Sequence, residues 1–252
     1  MKGQPTTESR QGFFWEIYGR CYDGINHAIP YRGLLYDLYV GLELKPGQRI
    51  LDAGCGTGNF ELFLSTRAIP AIQIEAIDFS PAMMTRARQK CADLDFVNFA
   101  VANLNDRLPY PDNSFDRILC CNVLYSLNDP VHTISEFLRV LKPDGKLVLA
   151  NPKPGFKVMA IVLDHFKRIS NIWGVGRKLM TFTKTLVLLP TMGLAPILLN
   201  LFVIEKKGEQ QEYHFLSNEA LRGLLEHNQL TDITIMNAYS DQDIFTVATK
   251  AA

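Results

Sequence analysis

Two aspartates and three glycines in the first third of the chain have the types and spacing of a ligand site. Asp52 opens the loop Ala53-Gly54-Cys55-Gly56-Thr57-Gly58, and Asp78 ends a second apolar run 26 residues further on. Glycines let a backbone approach a ligand closely, and in an open α/β sheet such loops lie beyond the carboxyl ends of the strands. The spacing here is GxGxG, not the GxGxxG of dinucleotide enzymes. A carboxylate beside the loop would repel a pyrophosphate but suits a cofactor with an amino group and a positive charge. S-adenosylmethionine (SAM) is such a cofactor. A carboxylate at Asp78 can accept both hydroxyls of a ribose. Taken singly, the loop reads equally as a plain glycine turn and Asp78 as a helix cap. The register of the two together favours a nucleoside.

These residues need elements to hold them. QRILDAGCG (48–56) reads as a buried strand running into the glycine loop, and GNFELFLSTRA (58–68) as a helix. IQIEAID (72–78) is a second strand; AMMTRARQKCADL (82–94) has helical spacing, with Ser80 as cap and Pro81 in the first turn. FVNFAVA (96–102), part of FDRILCCNVLYSL (115–127) and KLVLANP (146–152) supply three more strands. VHTISEFLRVLK (131–142) is an amphipathic helix. After a break the pattern resumes with a helix at 217–229 and strands at 232–239 and 243–250, close enough for a hairpin. Apolar strands alternating with helices predict a parallel sheet covered on both faces. Residues 13–45 add an N-terminal extension with two aromatic-rich helical stretches.

The segments ILDAGCGTGNF, IEAIDFSPAMM, LPYPDNSFDRILCCNVLYSL and EFLRVLKPDGKLVLANP resemble, in this order, the class I SAM-dependent methyltransferase family. The branch that methylates quinones and small molecules is the most similar. The resemblance is nearly continuous over 46–152 and looser over 217–250. It implies an α/β, Rossmann-like fold: a seven-stranded, mostly parallel sheet, helices on both faces, the last strand antiparallel, plus a helical lid insertion. It further implies that Asp52, Gly54, Gly56 and Gly58 cradle the methionine part of SAM. Asp78 would hold the ribose, Phe79 would pack on the adenine, and Asn103 and Leu104 would line the adenine pocket. Cys121 and Asn122 would border the transferred methyl. The family usually has Asp where Asn103 stands; an amide oxygen still accepts a hydrogen bond, without charge assistance. The expected division is a covering segment at 1–45, a SAM-binding core at 46–152, a hydrophobic and basic lid at 153–214, and 215–252 completing the core.

Methyl transfer from a sulfonium is an in-line displacement with a neutral leaving group. The protein chiefly supplies proximity, orientation and exclusion of water, so no catalytic triad is required. His132 and His227 fall on predicted helices and read as surface or packing residues. Tyr22 and His27, in a segment similar to the family's entrance region, are the weak candidates for a catalytic role, with aromatic packing the alternative. No metal-ligand spacing occurs, so no metal is expected.

Composition bounds the function. Apolar residues make up 47% of the 252 and charged ones 21%, enough for a core. Lys+Arg and Asp+Glu both number 26, which argues against nucleic acid as a partner, as does the absence of a complete base-flipping motif. Five cysteines without a CxxC pair indicate no disulfide framework. The polar start MKGQPTTESRQG has no apolar core of a secretory signal, so a cytoplasmic location is expected.

The charge is uneven, however. Residues 151–184 hold seven Lys/Arg against one acid, Asp164, and residues 185–204 carry no charge. Pro190, Gly193 and Pro196 interrupt that stretch, which argues against a membrane span. Within 156–169, helical spacing places Val158, Met159, Val162, Leu163, Phe166 and Ile169 on one face and Lys157, Asp164 and Arg168 on the other. Two readings of 153–207 follow: a lid over the site, or a lid that also makes peripheral membrane contact. Both imply a small, lipophilic methyl acceptor such as a quinone, lipid or hydrophobic natural product. The alternative of another class is a SAM-binding partner or regulatory protein without transferase activity.

Overall fold

The computed structural model describes residues 19, 22–67, 69–188, 198, 200–210 and 212–252. The first predicted N-terminal stretch and much of the uncharged run at 185–204 lie outside the described residues.

Seven strands form one sheet. They are β1 (Arg49–Ala53), β2 (Gln73–Asp78), β3 (Val97–Val101), β4 (Phe115–Cys121), β5 (Leu141–Pro152), β6 (Leu230–Ala238) and β7 (Asp243–Lys250). Their spatial order is β3-β2-β1-β4-β5-β7-β6. Strands β1 to β5 pair in parallel, and β7 runs antiparallel to both β5 and β6. The expected fold class is what the chain adopts.

Period-two alternation explains why the central strands are apolar throughout. Ile50, Leu119 and Val148 join one core, where α1 (Ile29–Leu42), α2 (Asn59–Leu64) and α3 (Pro81–Lys90) pack. Their chain neighbours Leu51, Ile118 and Leu149 join the opposite core, under α4 (Pro130–Val140) and a C-terminal helix at Asn218–His227. Caps fix the helix starts: Ser80 accepts from the Met83 N–H, Asp129 from the His132 N–H and Ser217 from the Ala220 N–H. β5 begins five residues before the predicted 146, because Leu141 already pairs with Phe115 ahead of the turn at 143–145.

Between β5 and the C-terminal helix, the insertion folds into α5 (Val158–Ser170) and α6 (Val175–Leu188). A π-helical turn, Asn200–Glu205, runs on into Lys206–Glu209. A small third core of Tyr125, Phe156, Val158, Ile161, Ile204 and Tyr213 seats the insertion beyond the carboxyl ends of β4 and β5. The C-terminal helix is α7 hereafter.

The face assigned to α5 needs correction. Val158, Ile161, His165 and Ile169 are its buried residues, whereas Met159 and Leu163 point to solvent. Apolar residues wrap more than half of this helix, so spacing alone does not select the stripe; contact with α1 and the third core does. Charge counting also overstates the free cations. Lys153 pairs with Asp241, Lys157 with Glu205 and Glu209, and Arg168 with Asp164. Among the described residues no helix is long and apolar enough to cross a membrane.

Candidate active site

The carboxyl ends of β1, β2 and β4 meet under one cavity of about 490 Å³. The glycine loop forms its floor. Gly54 sits at φ 89°, and a Cβ there would come within 2.3 Å of a Val123 methyl, so both conformation and space demand glycine. Gly56 sits at φ 57°, where a Cβ would meet the Tyr22 ring at an ordinary 3.6 Å contact, so conformation favours glycine there more than space does. Its bare backbone lines the cavity.

Asp78 closes the loop onto β2. Its Oδ2 accepts from the Gly56 N–H at 3.1 Å and its Oδ1 from the Ser80 N–H at 2.8 Å. Each carboxylate oxygen has a second lone pair, and the side chain lines the cavity. Burial raises its pKa to about 6, against the opposing pull of those two backbone donors.

Asp52 is placed differently. It is 3% exposed, lies behind the loop rather than on the cavity wall, and faces Glu61 of α2. Burial, then the proximity of the other acid, pushes Asp52 well above the usual carboxylate range; burial likewise raises Glu61. Two buried acids side by side cannot both ionise cheaply, and Asp52 is the one held further toward its neutral form. Gly58 also lies off the cavity wall, at the N-terminus of α2, where a Cβ would press on the Cys91 sulfur at 3.0 Å.

The other expected residues, Tyr22, His27, Phe79, Asn103, Leu104, Cys121 and Asn122, all line the cavity. Phe79 is 41% exposed at its rim. Asn103 Oδ1 is engaged locally, accepting from the backbone and side-chain N–H groups of Asn105 at 3.1 and 3.0 Å. Asn122 adopts φ 56°, a left-handed conformation that asparagine tolerates. Beside it lies Asp243, wholly buried, with its pKa raised by burial to about 8. The Asn122 side-chain amide donates to the Asp243 carboxyl and opposes the effect of burial, which outweighs it.

Sequence inspection does not single out Glu61, Lys90 or His165. The Lys90 ammonium donates to Asp23 Oδ1 (2.6 Å), Thr57 Oγ1 (3.0 Å) and Asn59 Oδ1, tying the covering turn Asp23–His27 to the glycine loop. His165 Nδ1 accepts from the Ile29 N–H at 3.1 Å, so its proton sits on Nε2, 3.3 Å from Thr185 Oγ1. Burial lowers its pKa and holds the ring neutral. It thereby joins α5 to the start of α1 on one side and to α6 on the other. An acid inside an apolar helix face was the one readable signal for Glu61; the Lys90 and His165 contacts span 67 and 136 residues and leave no local trace.

The cavity is polar at the Asp78 end and apolar where Phe156, Ile161, Val162 and Phe166 of the insertion close over it. A glycine loop and an acid at the ends of adjacent strands, in a sheet of this order, define a Rossmann-like methyltransferase architecture. Comparison with known proteins agrees. The methyltransferase domain family matches residues 51–149. A demethylmenaquinone methyltransferase of Bacillus cytotoxicus is 30% identical over 179 residues, covering 68% of this chain and 75% of the relative. That of Renibacterium salmoninarum is 38% identical over 105 residues, 42% of this chain and 41% of the relative. Some curated relatives are thus spanned over only about half their length, 41% to 61%. In fold, a putative S-adenosyl-L-methionine-dependent methyltransferase from Methanococcus maripaludis superposes with TM-score 0.63 at 16% identity, over 100% of this chain and 98% of that one. This chain belongs to the class I SAM-dependent methyltransferase family.

Proposed function

We infer that the chain transfers a methyl group from SAM to a small lipophilic acceptor of the quinone type. The observation that carries the reading is the single cavity with two chemically different ends. Its polar end fits a nucleoside cofactor: Asp78 keeps acceptor capacity toward the cavity, and Gly56 presents bare backbone to it. In this reading Asp78 holds the ribose hydroxyls, Phe79 and Leu104 pack around the adenine, and Gly54 and Gly56 lie along the methionine part. Asn103 keeps the 103–105 turn closed around the base. Asp52 and Gly58 act from behind, the first by holding Glu61 and the loop, the second by letting α2 start close to α3. When bound, SAM supplies an electrophilic methyl on a sulfonium.

The chain's own residues then bind, orient and exclude water. Cys121 and Asn122 border the junction between the two ends, and Tyr22 and His27 cover it from the N-terminal side. The apolar end, walled by the insertion, accepts a flat or chain-bearing hydrophobic molecule and desolvates it. The relatives' naming as demethylmenaquinone methyltransferases supports a quinone-type acceptor. An acceptor of this kind resides in a bilayer, which gives the 153–207 segment a reason to meet a membrane surface.

The test is incubation with methyl-labelled SAM and a reduced demethylmenaquinone in detergent, followed by mass analysis of the quinone fraction. Transfer of label with release of S-adenosylhomocysteine is expected. Tight SAM binding with no label moved to that quinol or to a lipid extract would refute the reading and favour a SAM-binding partner protein.

A further inference from the structure

The α5–α6 hairpin has two differently used sides. Its inner side lines the cavity through Ile161, Val162, His165, Phe166 and Thr185. The two helices are held together by the Phe166–Phe182 ring contact and by His165 against Thr185. Its tip projects into solvent. Trp173 in the connecting turn is 96% exposed, Val175 85%, Leu179 64% and Met180 66%. Met159 and Leu163, also exposed, precede Lys167 at four-residue steps and form one outward stripe along α5. Seven of the fifteen large hydrophobic side chains exposed among the described residues fall between 159 and 182, a concentration that solvent alone does not explain.

Charge identifies what covers this surface. Lys153, Lys157 and Arg168 are neutralised by acids of the chain, but Lys167, Arg177 and Lys178 make no ion pair among the described residues. These three cations surround the apolar tip. A second copy docking symmetrically would bring the same cations face to face, which repels. An apolar tip with an exposed tryptophan and a ring of unpaired cations matches the interface of a bilayer with anionic headgroups. We propose that the α5–α6 hairpin docks on anionic lipid membranes, with Trp173 and its apolar neighbours in the interfacial layer and Lys167, Arg177 and Lys178 on the headgroups. The opposite side of the same hairpin walls the cavity, so docking sets the apolar end of the site beside the bilayer. This deepens the lipophilic-acceptor reading yet can hold or fail without it, because it is read from binding and not from turnover.

Flotation with vesicles of phosphatidylcholine alone, and with vesicles of phosphatidylcholine and phosphatidylserine in equal parts, tests it directly. The full chain should float with the mixed vesicles at low salt and be released at high salt. Each basic residue at an anionic surface is worth roughly fivefold in partitioning, so reversing Lys167, Arg177 and Lys178 to Glu together should weaken it by on the order of 100-fold or more. SAM affinity of that variant, measured by calorimetry, should be unchanged and serves as the folding control. In a Trp15→Phe background, Trp173 is the sole tryptophan. Its emission should shift to the blue on adding mixed vesicles. The proposal falls if the chain stays unbound with mixed vesicles at low salt, or if the triple variant binds as well as the parent. It falls also if Trp173 becomes buried by self-association without lipid.

Discussion

Replacing Asp78 by Asn separates two effects of the same carboxylate that have opposite signs. In the ligand-free chain, burial lifts its pKa from 3.8 to about 6, so the fold binds this proton more tightly than the unfolded chain. Stability from this group is therefore greatest below about pH 4, falls as pH rises toward 6, and is constant above. Removing the charge relieves that penalty, worth at most about 2–3 kcal/mol and less as water in the cavity screens it. Asp78→Asn should thus raise the melting temperature of the ligand-free chain near neutral pH. The gain is reduced by whatever the Gly56 and Ser80 N–H bonds lose when a neutral amide replaces their charged acceptor. SAM binding should move the other way. Ribose hydroxyls donating to a charged acceptor are worth more than to an amide, and the loss should be about 1.5–3 kcal/mol, roughly 10- to 150-fold in Kd. Because the charged form is the binding form, Kd for the parent should be flat above about pH 6 and rise by up to tenfold per unit below it. The variant should lack that dependence. Calorimetry with SAM and S-adenosylhomocysteine between about pH 5 and pH 8 reads all of this. Unchanged affinity in the variant, or a parent Kd indifferent to pH across that range, would refute the ribose assignment.

Substitutions at three other positions probe separate parts of the site. Asn103→Asp can still accept from Asn105 and adds a charged acceptor for an adenine amino group, so SAM should bind as tightly or tighter; Asn103→Leu should lose about 1–3 kcal/mol, and equal Kd for all three forms would remove Asn103 from the adenine pocket. His165→Phe keeps the ring volume but strands the Ile29 N–H, costing about 1–3 kcal/mol in urea unfolding; the parent's own pKa is lowered by burial, so the stability His165 contributes is present above its unfolded value and is lost as pH falls through the folded one. Asp243→Asn should raise the melting temperature by an amount that grows between about pH 4 and pH 8 and levels off beyond, since burial holds this carboxyl at about 8; a pH-independent difference would mean that Asp243 is ionised in the fold.

The sheet was legible because its strands satisfy two faces at once. Ile50-Leu51, Ile118-Leu119 and Val148-Leu149 each send adjacent residues to opposite cores, as a sheet covered on both faces requires. The start of α3 was legible because a cap, Ser80, sits beside a first-turn proline, Pro81. The Gly54, Gly56 and Asp78 wall of the cavity was legible for the same reason: these residues are placed by backbone conformation and strand ends, both local properties. What was not legible depends on distant partners. That Asp52 turns from the cavity toward Glu61, and that Asn103 is already engaged, follows from packing. The insertion misled most, because apolar residues wrap so much of α5 that its few charges do not fix which side is buried, and the acids that neutralise Lys153 and Lys157 lie 88 and about 50 residues away.

That contrast bears on how the molecule divides its work. The methyltransferase domain match ends at residue 149, just before the insertion begins. The residues before it meet one demanding geometry, since a strand end, a left-handed glycine and the Asp78 carboxylate must coincide within a hydrogen-bond length. The insertion meets looser demands: it must present apolar side chains inward, latch through His165 to the start of α1, and tolerate solvent or lipid outside. Many sequences satisfy those conditions, so acceptor choice can drift with the insertion while the cofactor end stays fixed. It follows that exchanging the 153–214 segment for that of a relative should change which acceptor is methylated before it changes SAM affinity. The contact that must survive the exchange is the His165–Ile29 bond, because it joins the variable part to the N-terminal cover of the constant one.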